Sequence, residues 1–518
     1  MRSPCETGPG AVPQTAPAAD TTFCPRRQRR YVLAAAILAS SLGFIDGSVV
    51  SIAIPAIRAD LTASLADAQW ISNAYALTLS ALILAGGAAG DRFGLRRTFV
   101  AGIVFFIATS LLCAIAPNAQ FLIVARALQG IGAALMVPGS LAIIAKAYPR
   151  SERGRAIGIW AAASALTTAL GPVLGGFALS VFDDSIWRWI FAINLPLGAI
   201  AVYLLLARVP ADEPGAARAL DLGGAALATL AFGLIAWGLT AASPEGEAAT
   251  VTAPWLFAAA GVAFLAGFVL WERFVRQPMV DLGLFRNAAF SGANAATFCL
   301  YFALSGILFY LPMLLIAGWS LNEAQVGFIF LPLSAAIALL SGPVGGLSDR
   351  IGPRLPIAGG SLVVGLAFAG LAGVAGAGHH GFWSAVFPLM VVMGLGMALV
   401  VSPLSTAIMT AVEDADTGAA SGINNAVSRI AGLVAVASLG SVAAWRFAGV
   451  AAGADIPTFG EPSGDLAADA EALRVAASDA AFSTVAWVTA ALCLLAALIA
   501  WTTVPGATRA RDSSPSPA

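Results

Sequence analysis

Three observations predict an all-α polytopic membrane protein made of two six-helix bundles plus two inserted helices, fourteen transmembrane helices in all. The first is composition: of 518 residues, 59% are hydrophobic and only 11% charged, whereas soluble domains carry roughly a quarter charged residues. The second is the recurrence, from end to end, of apolar runs of about 20 residues, the length a helical crossing requires. The third is a loop motif that occurs twice. "GAAGDRFGLRR" (87–97) and "GGLSDRIGPR" (345–354) share Gly, Asp-Arg and Gly at the same spacing. Abundant Gly and Ala suit close helix packing in lipid.

The runs lie at about 31–54, 70–90, 98–116, 121–144, 156–180, 189–208, 220–241, 253–273, 290–316, 325–346, 356–376, 382–405, 417–446 and 480–504. Charge orients them. With a cytoplasmic N-terminus, 21 of the 27 Lys and Arg residues fall on the inner side. Four (Arg58, Arg188, Arg446 and Arg474) fall outside, and two (Arg126 and Arg429) lie within spans. This is a strong positive-inside bias. The two motif loops have eight runs between them, whereas equivalent loops of two six-helix halves would have six. The excess assigns 220–241 and 253–273 as inserted helices. The expected division is therefore a disordered cytoplasmic tail (1–30), an N-terminal bundle (31–208), a linker with two extra helices (209–289), a C-terminal bundle (290–504) and a cytoplasmic tail (505–518). Internally repeated halves are typical of transporters, with the substrate site between them near the midplane.

Taken in order, the first 25 residues are rich in Pro, Ala and Thr and read as disordered. "RRQRR" (26–30) then precedes an apolar run without a small-residue cleavage site, which argues for an uncleaved first helix. Inside it, "LGFIDGSVVSIAIP" (42–55) carries a carboxylate, Asp46. At 1.5 Å per residue, Asp46 lies about 22 Å into the helix, or roughly 8 Å below the outer face of a 30 Å core. The fourth span, "RALQGIGAAL" (126–135), runs inward and holds Arg126 at a depth of about 8 Å as well. An intramembrane arginine is costly and normally finds a partner in the bundle interior, which makes Asp46 and Arg126 a candidate pair. Two other readings stay open: Arg126 could snorkel to the interface, and Asp46-Gly47-Ser48 could cap a local helix break.

In the first motif loop, Gly87, Asp91, Arg92, Gly94, Arg96 and Arg97 combine a helix-end carboxylate, a turning glycine and basic residues; Gly345, Asp349, Arg350 and Gly352 repeat the pattern. Such a carboxylate can cap a neighbouring helix or pair with arginine, and sliding helices would break either contact. The expectation is a cytoplasmic conformational latch, with a tight basic turn as the plainer alternative. "GPVLGG" in the fifth span places Pro172 among Gly171, Gly175 and Gly176, which permits a bend and tight packing. Asp221 is expected to cap the seventh span. In the thirteenth, Arg429 follows Asn424 and Asn425 with no carboxylate in any second-half span to pair with. A largely apolar substrate cavity is expected to touch Asn73, Tyr75, Asn294, Tyr301, Asn424, Asn425 and Arg429. The acidic stretch 447–479 reads as a solvated outer loop.

Net charge is −1, which gives no reason to expect a nucleic-acid partner. The five cysteines are scattered without disulfide or metal-ligand spacing, so no metal or cofactor is expected. Neither a phosphate-binding G-x-x-x-x-G-K-[ST] nor H-E-x-x-H or G-x-S-x-G occurs, which argues against ATP hydrolysis and against an enzyme.

These residues resemble the major facilitator superfamily, specifically its fourteen-helix drug:proton antiporter branch (EmrB/QacA type), from Tyr31 to about Pro505. "GDRFGLRR" is similar to the loop 2–3 motif, "RALQGIGAA" to the helix 4 motif and "GPVLGGF" to the antiporter motif. "DGSVVSIAIP", "WRWIFAINLPLG", "WERFVRQPMVDLGLF" and "ASGINNAVSRIAG" also look like this branch. Ala89 and Leu95 depart from the usual loop pattern. The resemblance implies proton-coupled export of a small amphipathic substrate by a multi-pass protein of the cytoplasmic membrane. Asp46 would be the coupling carboxylate, because burial penalises its charge while Arg126 favours it. The chain is expected to act as a monomer with both termini cytoplasmic. A proton symporter or facilitator, and a non-transporting sensor, are the other classes considered.

Overall fold

Fourteen segments long and apolar enough to cross a membrane occur among the described residues, and no strand does. The computed structural model describes residues 24–182, 184–212, 221–242, 254–413, 416–462 and 466–506. The expected tails over 1–23 and 507–518, and the linker interiors 213–220 and 243–253, lie outside the described residues.

The first bundle comprises α1 (Arg26–Leu61), α2 (Leu65–Phe93), α3 (Leu95–Ala114), α4 (Ala119–Ala147), α5 (Arg150–Val181), and a sixth span formed by α6 (Trp187–Ala192) and α7 (Asn194–Arg208). The inserted pair is α8 (Leu222–Ala241) and α9 (Pro254–Phe274). The second bundle comprises α10 (Ala288–Met313), α11 (Glu323–Gly327) with α12 (Leu331–Ile351), α13 (Arg354–Gly376), α14 (Phe387–Thr410), α15 (Thr417–Ala451) and α16 (Ala468–Thr503).

Local sequence sets the helix ends. Ser64 begins α2 with a capping box: its hydroxyl accepts from the Asp67 amide and the Asp67 carboxylate accepts from the Ser64 amide, each at 3.0 Å. Asp221 caps α8, as its position suggested, by accepting from the Gly224 amide at 2.8 Å. At Gly94 the backbone takes φ +93°, a conformation open to glycine, and this turns α2 into α3.

Small residues set how closely the helices approach. A Cβ placed on Gly130 of α4 would lie 2.5 Å from the Tyr75 carbonyl oxygen of α2, so only glycine allows this crossing. The two bundles meet where α5 packs on α11 and α12, where α15 runs along α2, and where α1 touches α10. The inserted helices pack on each other, and α8 lies across the α2–α15 seam. There the Trp70 and Trp237 rings meet with centroids 5.6 Å apart and planes tilted by 49°, and the Ser441 hydroxyl donates to the Leu239 carbonyl. Only Gly261 and Glu272 of α9 are buried, so apart from its contact with α8 this helix is largely exposed.

Two sequence expectations change. The first helix begins at Arg26 rather than near Tyr31, and Arg29 anchors it through Glu152 at 3.0 Å and the Cys24 carbonyl at 3.4 Å. The acidic stretch 447–479 is not one solvated loop. α15 continues to Ala451 and α16 starts at Ala468, because buried Arg474 binds Glu471 and the Ala317 and Gly318 carbonyls. Asp479 within α16 accepts from Trp319 at 2.6 Å and lies 2.8 Å from His380. Of the acids in that stretch, Asp465 lies outside the described residues.

Candidate functional site

Asp46 projects from α1 and Arg126 from α4 into the same interior, where they are 1% and 2% exposed. The Arg126 Nη1 donates to Asp46 Oδ2 at 2.6 Å and to Gln129 Oε1 at 2.6 Å, while its Nε donates to the Ile71 carbonyl at 3.0 Å. Gln129 Nε2 closes the ring by donating to Asp46 Oδ1 at 3.2 Å and to Ser110 Oγ at 2.7 Å. Asn194 of α7 donates to the same hydroxyl at 3.1 Å. The packing of α1 against α4 brings the two charges into contact. Breaking such a pair leaves an uncompensated buried charge, so the pair is stable only while both partners stay charged and together.

Gln129, Ser110 and Asn194 were not among the sequence candidates. Gln129 could have been found, because it sits three residues after Arg126 on the same helical face. Asn194 stands as a lone amide in "WRWIFAINLPLG". Nothing in sequence joins it to the pair.

Beside this network lies a cavity of about 800 Å³ between the bundles. Asp46 is not on its wall, although Gly43 and Gly47 of the same helix are. Tyr75 separates the two sites: it lines the cavity and also stacks on Arg126, whose Cζ lies 4.3 Å from the ring centroid. Of the expected cavity residues, Tyr75, Asn425 and Arg429 line it; Asn73, Asn294, Tyr301 and Asn424 do not. Helix rotation explains the correction. Asn73 is two residues from Tyr75 and so points to the far side of α2, where it is buried. Asn424, one residue before Asn425, turns instead to accept from Thr297 at 2.9 Å. Asn294 donates back to the Phe290 carbonyl within α10.

The cavity reaches the surface on the side of the motif loops, where Gly87, Leu141 and exposed Ser421 complete its wall. The opposite end is shut by the fifth-span motif. Gly171 and Gly175 lie against Val49 of α1, and Gly176 against the Glu323 carbonyl of α11. A Cβ on Gly327 would come 2.6 Å from the Pro172 carbonyl oxygen. Arg58 reinforces this end from α1, donating to the Phe459 carbonyl at 2.6 Å and to Thr458 at 3.1 Å in the α15–α16 connection. Gln69 of α2 also reaches Tyr310 of α10 at 2.9 Å.

The repeated loops look different from their sequence. Asp91, Arg92, Arg97, Asp349 and Arg350 are exposed, and neither aspartate has an ion-pair or hydrogen-bond partner among the described residues. The anion at the start of α3 is Asp212, from beyond α7. It accepts from the Leu95 and Arg96 amides at 2.9 Å each and pairs with Lys146 at 2.8 Å. Asp91 cannot take this place because it ends α2, where carbonyls rather than amides are free. Arg96 adds donations to the Leu205 and Leu206 carbonyls, and Gly352 turns the second loop at φ +82°. Burial works against the Asp212 anion, but Lys146 and the two amides outweigh it and hold the carboxyl below its ordinary range.

The comparisons with known proteins agree with this architecture. Residues 36–436 match the family model described as Major Facilitator Superfamily. The chain is 34% identical over 417 residues to "Multidrug resistance protein Stp" of Mycobacterium tuberculosis (strain CDC 1551 / Oshkosh), covering 79% of this chain and 76% of that one. It is 32% identical to the "Tetracenomycin C resistance and export protein" of Streptomyces glaucescens, covering 78% and 73%. A bacterial homologue of the human lysosomal transporter Spinster, solved inward-facing and occupied, superimposes with TM-score 0.65 at 16% identity, over 92% of this chain and 97% of that one. A twofold-repeated fourteen-span fold, an acid–arginine pair buried beside an inter-bundle cavity, and this extent of sequence match together place the chain in the major facilitator superfamily.

Proposed function

We propose that this protein is a proton-coupled antiporter that exports small amphipathic drugs or antibiotics across the cytoplasmic membrane by alternating access. The observation that carries the reading is the Asp46–Arg126 pair, buried next to the cavity and linked to its wall by Tyr75. Relatives named for multidrug and tetracenomycin resistance support export as its direction. The basic residues on the motif-loop side support a cytoplasmic placing of both termini, so the cavity described above is open inward. The bundles 31–208 and 290–504 rock about it as units, with 209–289 as the linker, and the chain works as a monomer. When the outer end opens and the inner end closes, Asp91 and Asp349 engage as the cytoplasmic latch that is disengaged in the inward-open state.

A cycle follows from the geometry. Protonation of Asp46 from outside weakens its grip on Arg126, frees the Arg126–Tyr75 stack to shift, and so changes the cavity wall where cargo binds. Release of the proton inward restores the pair. The test is Asp46→Asn in energised everted vesicles, with a panel of aromatic antibiotics as probes. Wild type should accumulate substrate and release protons when it is added; the variant should do neither. Undiminished proton-driven accumulation in the variant removes Asp46 from coupling, and proton movement with substrate makes the protein a symporter.

A further inference from the structure

We infer that the cargo of the inter-bundle cavity is an amphipathic anion, an aromatic weak acid bearing a carboxylate or phenolate, rather than a lipophilic cation. The inference rests on the transport reading and names the substrate class of the same cavity.

Among the described residues, Arg429 is the only charged one on the cavity wall. Its Nε donates to Asn425 Oδ1 at 3.0 Å, one helical turn back, which fixes the side chain's direction. The two terminal nitrogens have no hydrogen-bond or ion-pair partner among the described residues. The other arginines in the protein interior differ. Arg126 has Asp46, Gln129 and the Ile71 carbonyl; Arg58 has the Phe459 and Ala63 carbonyls with Thr458; Arg474 has Glu471 and two carbonyls. A guanidinium kept for structure is surrounded by acceptors, because a buried charge without them is expensive. Arg429 instead lines the cavity with two terminal nitrogens that no described acceptor binds, the fork that a carboxylate engages.

The carboxylate that could have offset this charge is withdrawn. Asp46 is off the wall and already paired with Arg126. A cation entering the cavity therefore meets a positive wall with no acid to bind, whereas an anion meets its counterion. Elsewhere on the same wall, which is mostly apolar, stand Phe44, Phe309, Phe330 and Trp160, which suits a fused-ring body. At about 800 Å³ the space is within the range of small-molecule sites.

The experiment uses two probes of one shape and opposite charge, 9-anthracenecarboxylate and 9-anthracenylmethylammonium. Binding to the purified full-length protein in detergent micelles is measured by equilibrium dialysis. Wild type should bind the carboxylate at least tenfold more tightly than the ammonium. Arg429→Gln should weaken the carboxylate about 10–100-fold, the range of a charge-assisted hydrogen bond, without weakening the ammonium. Arg429→Lys should restore part of the loss, which a collapsed fold would not allow. Equal or tighter binding of the ammonium, an unchanged carboxylate affinity in Arg429→Gln, or binding of neither probe to wild type overturns the inference. No proton gradient is present in this measurement, so its failure is distinct from failure of the Asp46→Asn coupling test.

Discussion

Removing both members of the Asp46–Arg126 pair should cost well short of the sum of removing each alone. In Asp46→Asn, the two donors that converge on the carboxylate, Arg126 Nη1 at 2.6 Å and Gln129 Nε2 at 3.2 Å, meet a side chain with one acceptor and one donor. One of them is left facing an amide N–H, and the Arg126 charge loses its counterion. Breaking a buried pair in this way costs about 3–5 kcal/mol. Arg126→Gln strands the Asp46 carboxylate with Gln129 as its remaining donor, and a loss of about the same 3–5 kcal/mol is expected. The double variant Asp46→Asn/Arg126→Gln carries no charge at either position of the pair. Its loss should fall short of the sum by about 2 kcal/mol or more, within the coupling seen for residues in contact. The cycle is read from reversible unfolding in mixed sodium dodecyl sulfate and maltoside micelles, followed by tryptophan fluorescence. Additivity within about 0.5 kcal/mol would refute the reasoning, because the pair would then not act as an energetic unit.

Three further outcomes follow from contacts elsewhere. Gly176→Val should press a side chain on the Glu323 carbonyl; overpacking of about 1–3 kcal/mol shifts a two-state equilibrium roughly 5–150-fold away from the outer-closed form. Spin-label distances across the outer ends of α5 and α11 would report the shift, and an unchanged distribution would rule it out. Arg58→Ala removes the donors to the Phe459 and Ala63 carbonyls, so hydrogen exchange over 452–462 should accelerate at least tenfold; wild-type protection would contradict the clamp. Asp212 has a lowered pKa, so its stabilising contribution is complete above the ordinary value of 3.8 and is lost as pH falls through the lower folded value. Asp212→Asn should therefore flatten the acid limb of a stability–pH profile, and an unaltered limb would show that the Lys146 contact contributes nothing.

The Asp46–Arg126 pair and the Arg429 wall divide the site's electrostatics between two compartments. One charge pair is sealed in the first bundle and reached through Tyr75, while the single wall charge comes from α15 of the second. In the proposed cycle, rocking of the bundles moves these compartments relative to each other, and that movement is the proposed route from proton uptake at one to binding at the other.

Quantities measured along a helix could be worked out from the sequence itself. Span number and the matching depths expected for Asp46 and Arg126 follow from a rise of about 1.5 Å per residue and a core of about 30 Å, the expected inserted pair from the spacing of the repeated loop motif, and the inside bias from where Lys and Arg fall. Rotation about the axis could not. Adjacent Asn424 and Asn425 part company, one toward Thr297 and one toward Arg429, because packing sets which face of α15 meets α10 and which meets the cavity. Contacts between remote segments were equally illegible. Nothing near Leu95 announces that its amide is held by Asp212, and nothing near Arg58 that its guanidinium meets Phe459 about four hundred residues later. Membrane spans are set largely by one-dimensional hydrophobic transfer, so composition determines them. The site exists only where helices have chosen their neighbours, and that choice depends on side-chain shapes meeting in three dimensions.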